Sequence, residues 1–390
     1  MITKFTTVYP GHVDLPDRGQ NATPANERRF SNEHLVSVFA KTEAIARTLD
    51  RHGYDTIWLA EHHFQHEGYE VIPNLLMMAV HLAHVTKGLR IGCGFNIAPM
   101  WHPLRLAEDF ATADILTGGR TIFGVGRGYH SREVETFGAP IIDQNANREL
   151  FEEQVEIIFK AFESESFSHR GKHYTLPPEV PYRGYQLKEI TLVPRPIHRP
   201  VETWQPIVSA GARGIDFMLK YGIKGAVGGG AATMEHNPIH AYQEAAQRAG
   251  ENLKLGEDLM VGIFFHLAKT REQAIREITP LYEEHVKMFA PLGFMPGMTP
   301  AQIEAAARRG GWSDAGVPTV EHFMKAGAWF AGTPDGLIEH LKRLEERYPG
   351  LEYVNLSTSI GTPQQVMLEQ FQWVAEAVMP AFARREARAR

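Results

Sequence analysis

The sequence predicts an α/β fold, a closed (β/α)8 TIM barrel with insertions, on three observations. Short apolar runs with strand character alternate with longer segments whose apolar residues recur at helical spacing. Four such strand–helix pairs fill about half of the chain, a rhythm that favours a closed barrel of parallel strands over an open doubly wound sheet. Polar residues also begin abruptly where several predicted strands end, which is where parallel barrels bind their ligands.

The first four strand–helix pairs lie within residues 1–163. The second strand is an apolar run that follows a helix-stop and turn signal at residues 52–55. Pro73 stands at the predicted start of the second helix. The predicted strands are 4–9, 56–60, 89–97 and 121–126, and the predicted helices are 32–51, 73–85, 103–116 and 148–163.

The second half of the chain continues the rhythm around two predicted insertions. Residues 166–205 are rich in proline and contain short alternating segments, which predict a hairpin at 167–174. Residues 290–325 are polar, without a clear period, and predict a mobile lid. We therefore expect a single domain over residues 1–390. The remaining predicted strands are 206–210, 225–228, 259–268 and 353–357, and the remaining helices are 215–221, 239–249, 271–289, 333–348 and 363–378.

The composition is that of a globular protein and excludes several classes of partner. The chain has 390 residues, of which 43% are hydrophobic and 22% charged, and its formal net charge of -6 gives no global attraction to nucleic acid or acidic membranes. A single cysteine, Cys93, forbids an intramolecular disulfide. No secretory signal and no apolar run of membrane-spanning length is visible, so we expect a cytoplasmic protein. The Arg-rich residues 384–390 are interpreted as a solvated tail.

Three polar residues, Glu61, His62 and His63, follow the second predicted strand at the point where it enters its loop. Histidine is the side chain most easily tuned to exchange protons near neutral pH, so this position favours acid–base chemistry. The alternative is a polar loop that satisfies its own backbone. Because adjacent residues point in different directions, we expect only one of the two histidines to face a ligand.

A glycine-rich run, residues 124–128, follows the fourth predicted strand. It lacks the third glycine of the Rossmann fingerprint, so a Rossmann dinucleotide site is disfavoured. A strand end without side chains does suit the close approach of a flat ring, and the guanidinium of Arg127 suits a phosphate. The alternative is a tight turn with a surface arginine.

Residues 209–214 open the predicted fifth helix, where free N–H groups and the helix dipole favour an anion. A phosphate is expected at Gly211, Ala212, Arg213 and Gly214, and Arg213 or Arg148 would neutralise it. The alternative for Arg148 is an ordinary first-turn surface residue.

Taken together, these segments resemble the luciferase-like, flavin-dependent monooxygenases. The similarity covers most of the chain in family order and is more specific in the first half. The matching segments are Leu59-Ala-Glu-His-His-Phe64, Gly92-Cys-Gly-Phe-Asn-Ile97, His102-Pro103, Arg105-Leu-Ala-Glu-Asp109, Gly118-Gly-Arg-Thr-Ile-Phe-Gly-Val-Gly-Arg-Gly-Tyr129, Phe137-Gly138, Asn147-Arg-Glu-Leu-Phe-Glu-Glu153 and Leu192-Val-Pro-Arg-Pro196.

The resemblance implies a reaction and its partners. Reduced FMN would react with dioxygen at C4a to give a peroxyflavin that oxygenates a small organic substrate, with FMNH2 supplied by a separate flavin reductase. A homodimer is common in the family and is expected here. The alternatives are a deazaflavin (F420)-dependent oxidoreductase and a non-catalytic flavoprotein of the same fold. A metal-dependent hydrolase is disfavoured because the first strand has no His-x-His and no helix has HExxH, so no metal site is predicted.

The resemblance also implies roles for individual residues. His62 matches the catalytic histidine, and we expect its removal to cost the fold little because it stands at a strand end. Gly94 and Phe95 would lie under the flavin, joined by a cis peptide bond. Gly126 would lie beside the isoalloxazine where the luciferase has a cysteine, and Arg127 by the phosphate. Several hydroxyl residues of the family's phosphate turn are glycine here, which leaves the phosphate ligands open. Cys93 is assigned no catalytic role.

Overall fold

Eight parallel strands close into a barrel in the computed structural model, which describes residues 1–228, 230, 237–295 and 297–383. The predicted tail at 384–390 lies outside the described residues. The barrel strands are β1 (Lys4–Tyr9), β2 (Thr56–Leu59), β3 (Arg90–Cys93), β4 (Thr121–Gly126), β5 (Thr203–Pro206), β6 (Lys224–Gly228), β7 (Leu259–Leu267) and β8 (Tyr353–Ser357).

Strand pairing proves the closure. Neighbouring strands pair in parallel in chain order, and β8 pairs with β1. The last contact joins β4 to β5, with Phe123 opposite Thr203 and Gly124 opposite Trp204. No edge is left between these strands, so the predicted (β/α)8 barrel is confirmed.

Helices surround the barrel, and most of them begin at a side-chain cap. They are α1 (Asn32–Arg51), α2 (Leu75–Val85), α3 (Pro103–Leu116), α4 (Gln144–Glu163), α5 (Ala212–Lys220), α6 (Pro238–Arg248), α7 (Arg271–Phe289), α8 (Pro334–Arg347) and α9 (Gln364–Trp373). The predicted start of α2 at Pro73 is wrong, because the Asn74 side chain accepts a hydrogen bond from the Met77 N–H and caps the helix there. Helix α4 begins at Gln144, behind the cap Asp143.

Two predicted strands differ from the structure. The predicted third strand is divided into β3 and a short strand, Asn96–Ile97, and the Gly94–Phe95 peptide between them is cis, as predicted. The predicted fifth strand was placed three residues too late, since β5 is Thr203–Pro206. Its pairing with β4 decides that position, and the first insertion therefore ends before Thr203.

Two tryptophans fill the inside of the barrel. Trp58 on β2 and Trp204 on β5 are almost fully buried and meet edge to face with ring centroids 5.5 Å apart. Gly92 on β3 makes room for them, because a Cβ there would lie 2.1 Å from the Trp58 ring. The interior is thus plugged by side chains, and open space remains at the carboxyl ends of the strands.

The two predicted insertions are ordered chain. The first contains two small antiparallel hairpins, and the predicted hairpin at 167–174 lies at His169–Arg170 and Thr175–Leu176. The second contains the short helices Pro300–Ala306, Trp312–Ala315 and Val320–Lys325, which share a separate apolar cluster with α7. The strand Trp329–Gly332 then pairs in parallel with the end of β7, with Phe264 opposite Trp329 and Leu267 opposite Gly332. That residues 290–325 move as a lid stays a prediction.

The remaining short elements are the 3-10 turns Ala25–Glu27 and Ala98–Met100, the helix Ser131–Val134, the hairpin Pro181–Tyr182 with Tyr185–Gln186, the π-helical turn Val374–Val378 and the helix Pro380–Ala383. Within the described part of the chain, no helix combines the length and the apolarity needed to cross a bilayer.

Candidate functional site

A cavity of about 440 Å³ opens at the carboxyl ends of the barrel strands. Five of the residues singled out from the sequence line it: His62, Gly94, Phe95, Gly126 and Arg127. They come from the ends of β2, β3 and β4 and the loops that follow. They lie on one surface because the carboxyl ends of parallel barrel strands all face the same side.

Glycines form one side of this cavity. A Cβ on Gly126 would lie 3.3 Å from Phe95 and from Ile97, so Gly126 presents bare backbone at a crowded strand end. Glu61 holds the adjoining chain, because its buried carboxylate accepts hydrogen bonds of 2.8 Å from the Ile97 N–H and the Trp101 indole. The result is a flat, fixed surface that a planar ring can approach.

His62 is buried, with 4% exposure, and both of its ring nitrogens have partners. Nδ1 lies 3.2 Å from the Glu133 carboxylate. Nε2 lies 3.1 Å from the Tyr129 hydroxyl and 3.3 Å from Glu70. The expectation that removing His62 costs the fold little is therefore wrong in its premise, because a strand end that faces a closed cavity can be as buried as the core.

Electrostatics in this cluster favour a charged imidazole. Burial lowers the pKa of His62, but the Glu70 and Glu133 carboxylates outweigh it, and the pKa is raised above its ordinary value. Burial raises the pKa of Glu133, and its hydrogen bond to His62 reverses this, so that the pKa of Glu133 is lowered. The pKa of Tyr129 is raised well above its ordinary value, first by burial and then by Glu70. The site thus stores a proton on His62 between two carboxylates.

His63 and Cys93, which the sequence analysis also considered, do not line the cavity. His63 turns away from the cavity lining, pairs with Glu61 at 3.1 Å and packs against the Phe137 ring. Cys93 is fully buried, and burial raises the pKa of its thiol to about 12. A thiol in that state is a poor nucleophile, in keeping with the expectation that it has no chemical role.

Three residues of the cluster, Glu70, His130 and Glu133, were missed by sequence reasoning. Glu70 and His130 lie in loops and Glu133 in the short helix Ser131–Val134, and His62 meets Glu133 across 71 positions of chain. A signal was present in the Tyr129-His130-x-x-Glu133 spacing that directly follows the glycine run, and in Glu70, which follows the Glu61-His62-His63 loop within ten residues.

Ligand atoms of His62, Glu70 and His130 all lie within 4.8 Å of one another, close enough to share a metal ion. These atoms also satisfy each other without one. Glu70 accepts from the Tyr129 hydroxyl at 2.9 Å and lies 3.0 Å from Nε2 of His130. That no metal binds here stays a prediction, which metal analysis tests.

A cationic corner adjoins the cavity. The guanidinium of Arg127 donates to the Asn147 side chain at 3.1 Å, and burial together with the charge of Arg148 lowers its pKa. Arg148 in turn lies next to Gly214, where an added Cβ would be 3.4 Å from its guanidinium. Two neighbouring guanidinium groups are well suited to share an anion.

The amino end of α5 completes this corner. Gly211 is its N-cap, and no side chain caps the helix. The first-turn N–H groups, on Ala212 to Gly214, therefore lack a side-chain acceptor and attract negative charge. The side chain of Arg213 is 56% exposed and pairs with Glu152 at 2.6 Å, the same carboxylate that Arg148 faces at 3.9 Å. Flat surface and anion corner together fit the ring and the phosphate of FMN.

Comparisons with known proteins agree with this architecture. A limonene 1,2-monooxygenase from Rhodococcus erythropolis is 25% identical over 86% of this chain and 79% of its own length. The oxygenase component of a flavin-dependent trigonelline monooxygenase from Acinetobacter baylyi is 30% identical over 45% of this chain. The match spans 44% of that relative's length, so this chain corresponds to less than half of it.

Solved structures show the same fold with different cofactors. The oxygenating constituent of 3,6-diketocamphane monooxygenase from Pseudomonas putida, in complex with FMN, has a TM-score of 0.70 and 18% identity, over 97% of this chain and 98% of that one. A secondary alcohol dehydrogenase that depends on the deazaflavin F420 has a TM-score of 0.63 and 16% identity, over 98% of this chain and 99% of that one.

The family model described as luciferase-like monooxygenase matches residues 12–349, which is most of the chain. The relatives named above include a flavin-dependent oxygenase component, and six of the eight barrel strands, β2 to β7, lie within the matched range together with the glycine surface and the buried histidine. This chain belongs to the luciferase-like monooxygenase family.

Proposed function

We propose that this protein is the FMN-dependent oxygenase of a two-component monooxygenase. It binds reduced FMN supplied by a separate reductase and uses O2 to oxygenate a small organic substrate in the barrel cavity. The reduced flavin supplies the electrons that activate O2. The chain acts as one domain, with residues 166–205 and 290–325 as insertions in the barrel, and functions as a cytoplasmic homodimer.

One observation supports the proposal: a single cavity is lined by a bare glycine surface, by Arg127 and by His62, whose pKa is raised, and Arg148 lies outside the lining but close enough to act on the charge of Arg127. The flat surface at Gly94, Phe95 and Gly126 takes the ring. Arg127 and Arg148 take the phosphate, with the amino end of α5. Oxygenation needs all three parts in reach of one bound flavin, and separate surface sites would not serve it.

The chain's own residues would control protons. His62 holds a proton at the cavity, and Glu133 and Glu70 keep it charged. Tyr129 lies between the imidazole and Glu70 and donates to the latter, so it fixes the orientation of the ring that offers the proton. Both tasks need a site closed to water, which the 4% exposure of His62 supports.

The arginine corner also gives the test of cofactor identity. Arg127→Met removes a cation from the proposed phosphate site, and Arg105→Met removes one from the surface of α3, where it pairs with Glu108 and Asp109. Photoreduced FMN and reduced riboflavin, which lacks the phosphate, are titrated anaerobically into each variant. We expect Arg127→Met to weaken FMN binding about 10- to 100-fold, as for loss of a charge-assisted hydrogen bond, and to leave riboflavin binding unchanged.

Four results would contradict the proposal or one of its parts. Equal loss of FMN and riboflavin binding would place Arg127 at the ring or in the fold, and tight binding of reduced deazaflavin instead of FMN would support the alternative oxidoreductase. Oxygen consumption is then followed with enzymatically supplied FMNH2. Turnover by the pure protein with NAD(P)H alone would remove the need for a separate reductase, and flavin binding without any product formation would indicate a non-catalytic flavoprotein.

A further inference from the structure

A wall of aromatic rings closes the side of the cavity formed by β7 and α7. Phe264 on β7 meets the imidazole of His285 on α7 with ring centroids 4.6 Å apart, and His285 meets Phe289 at 4.4 Å. All three residues line the cavity. Because β7 stands across an eight-stranded barrel from β3, this wall faces the Gly94–Phe95 surface from the other side.

His285 is the exceptional member of this wall. It is 7% exposed, and its Nδ1 is buried without a hydrogen-bond partner among the described residues. Burial alone lowers the pKa of His285 to about 3, so the imidazole is neutral at physiological pH. Buried polar atoms are nearly always hydrogen-bonded. Nδ1 itself is enclosed, and the rest of the His285 ring lines the cavity without a hydrogen bond to a described residue, so it is suited to pair with a ligand.

The wall is held rigidly from behind. Glu284, next to His285 on α7, is fully buried and pairs with Arg28 at 3.0 Å and with Lys287 at 3.1 Å. It also accepts a hydrogen bond from Tyr69, the neighbour of Glu70 in the proton-storing cluster. The same ion-pair network therefore fixes α7 relative to the cluster, and the wall is formed before a ligand arrives.

The side chains available to a ligand differ between the two ends of the cavity. At the wall the lining is Ile263, Phe264, His285, Phe289 and Phe294, none of which carries a charge when His285 is neutral. At the opposite end stand the carboxylates Glu61 and Glu70 and the cationic residues His62 and Arg127, which the proposed flavin site uses. An anionic ligand held at the wall would find no cation there, whereas a planar uncharged ligand can stack on the rings.

We propose that the wall binds the substrate, which is an uncharged aromatic or alicyclic compound, and that His285 forms a hydrogen bond with its carbonyl or hydroxyl oxygen. The inference rests on the proposed function, since it names the substrate class of the same cavity. His285 is then a residue that determines specificity, because it positions the substrate against the flavin side without touching the proton store at His62.

Three probes of one shape separate the contributions: 2-naphthol, naphthalene and 2-naphthoate. Their affinities for the full-length chain are measured by equilibrium dialysis, without flavin and again with saturating oxidised FMN. We expect 2-naphthol to bind about 5- to 10-fold more tightly than naphthalene, which is the range of one neutral hydrogen bond. We expect 2-naphthoate to bind at least about 10-fold more weakly than 2-naphthol because its carboxylate would be buried without a cation.

Variants assign the preference to His285. His285→Phe keeps a ring in the wall and deletes both nitrogens, so the preference for 2-naphthol over naphthalene should disappear while naphthalene binds within about 2-fold of wild type. His285→Gln retains a hydrogen-bonding group and should keep most of the preference. His81→Phe on the surface of α2 is the control, since His81 is half exposed and pairs with Glu43.

The inference is overturned if wild type binds 2-naphthol and naphthalene equally, if His285→Phe weakens both alike, or if 2-naphthoate binds most tightly. Should His285→Phe lose the fold by melting temperature, His285→Leu takes its place: loss of the preference in folded His285→Leu, with the preference kept in His285→Gln, supports the inference, and an unchanged preference in folded His285→Leu refutes it. If the protein discriminates among the three probes but does not bind reduced FMN, only the proposed function is refuted. If it consumes oxygen with FMN but does not discriminate among the probes, only this inference is refuted.

Discussion

Replacing His62 should destabilise the protein at neutral pH, and the size of the effect depends on the replacement. The imidazole is 4% exposed and lies 3.2 Å from Glu133 and 3.3 Å from Glu70. With an effective dielectric constant of about 20, one such charge pair contributes about 5 kcal/mol of Coulomb attraction before desolvation is subtracted. His62→Ala removes the cation and leaves two carboxylates buried together, a change that typically costs about 3–5 kcal/mol.

His62→Gln should cost less, about 1–3 kcal/mol, because the amide donates a hydrogen bond to one carboxylate and only the other loses its contact with residue 62. The double variant His62→Gln, Glu133→Gln should recover part of that loss, since it removes one of the two uncompensated charges. His81→Ala is the matched control. Its histidine is 49% exposed beside Glu43, and exposed pairs contribute about 0–1 kcal/mol.

Urea unfolding gives the free energies, and the same preparations are assayed for flavin affinity and for product formed per flavin oxidised. If His62 stores the proton used in oxygenation, His62→Gln should bind reduced FMN normally and lose about 10²- to 10⁴-fold in rate. A His62→Ala variant as stable as the His81→Ala control would refute the view that the imidazole carries a charge between two buried carboxylates. Normal coupling in His62→Gln would refute its chemical role.

Three further predictions follow from the same geometry. Gly124→Ala should prevent stable folding, because its Cβ would lie 1.8 Å from a main-chain oxygen of β3. Gly126→Ala, whose nearest contacts would be 3.3 Å, should fold but bind flavin more weakly. Melting temperature and flavin titration distinguish the two outcomes. The pKa of His62 is raised in the fold, so its contribution to stability is complete below about pH 6.5 and is lost as pH rises through the raised value. Glu70→Gln should move that loss to lower pH in unfolding measurements, and an unmoved profile would show that Glu70 does not act on the imidazole. Dialysis against EDTA should leave the melting temperature and flavin binding unchanged, whereas one equivalent of zinc in the untreated protein would show that His62, Glu70 and His130 hold a metal.

The sequence determined the barrel and most of its helices. Helices α1 and α3 begin and end at the predicted residues, because their signals are local: apolar residues at helical spacing, a serine cap at Ser31 and a proline at position 103. Strand ends were informative for a topological reason. All strands of a parallel barrel point the same way, so polar residues that follow different strands meet at one mouth, as His62 and Gly126 do.

Only the tertiary structure decided the burial, the charge and the contacts of those residues. The position of β5 follows from hydrogen bonds to β4, which no local pattern of residues 200–210 encodes. The burial and charge of His62 depend on Glu70 and Glu133, whose chain segments contact His62 only in the closed barrel. The neutrality of His285 likewise arises from burial among aromatic rings of β7 and α7. Periodicity reports which face of an element is apolar, whereas pKa and substrate contact depend on distances between residues far apart in the chain, and only the folded packing sets those distances.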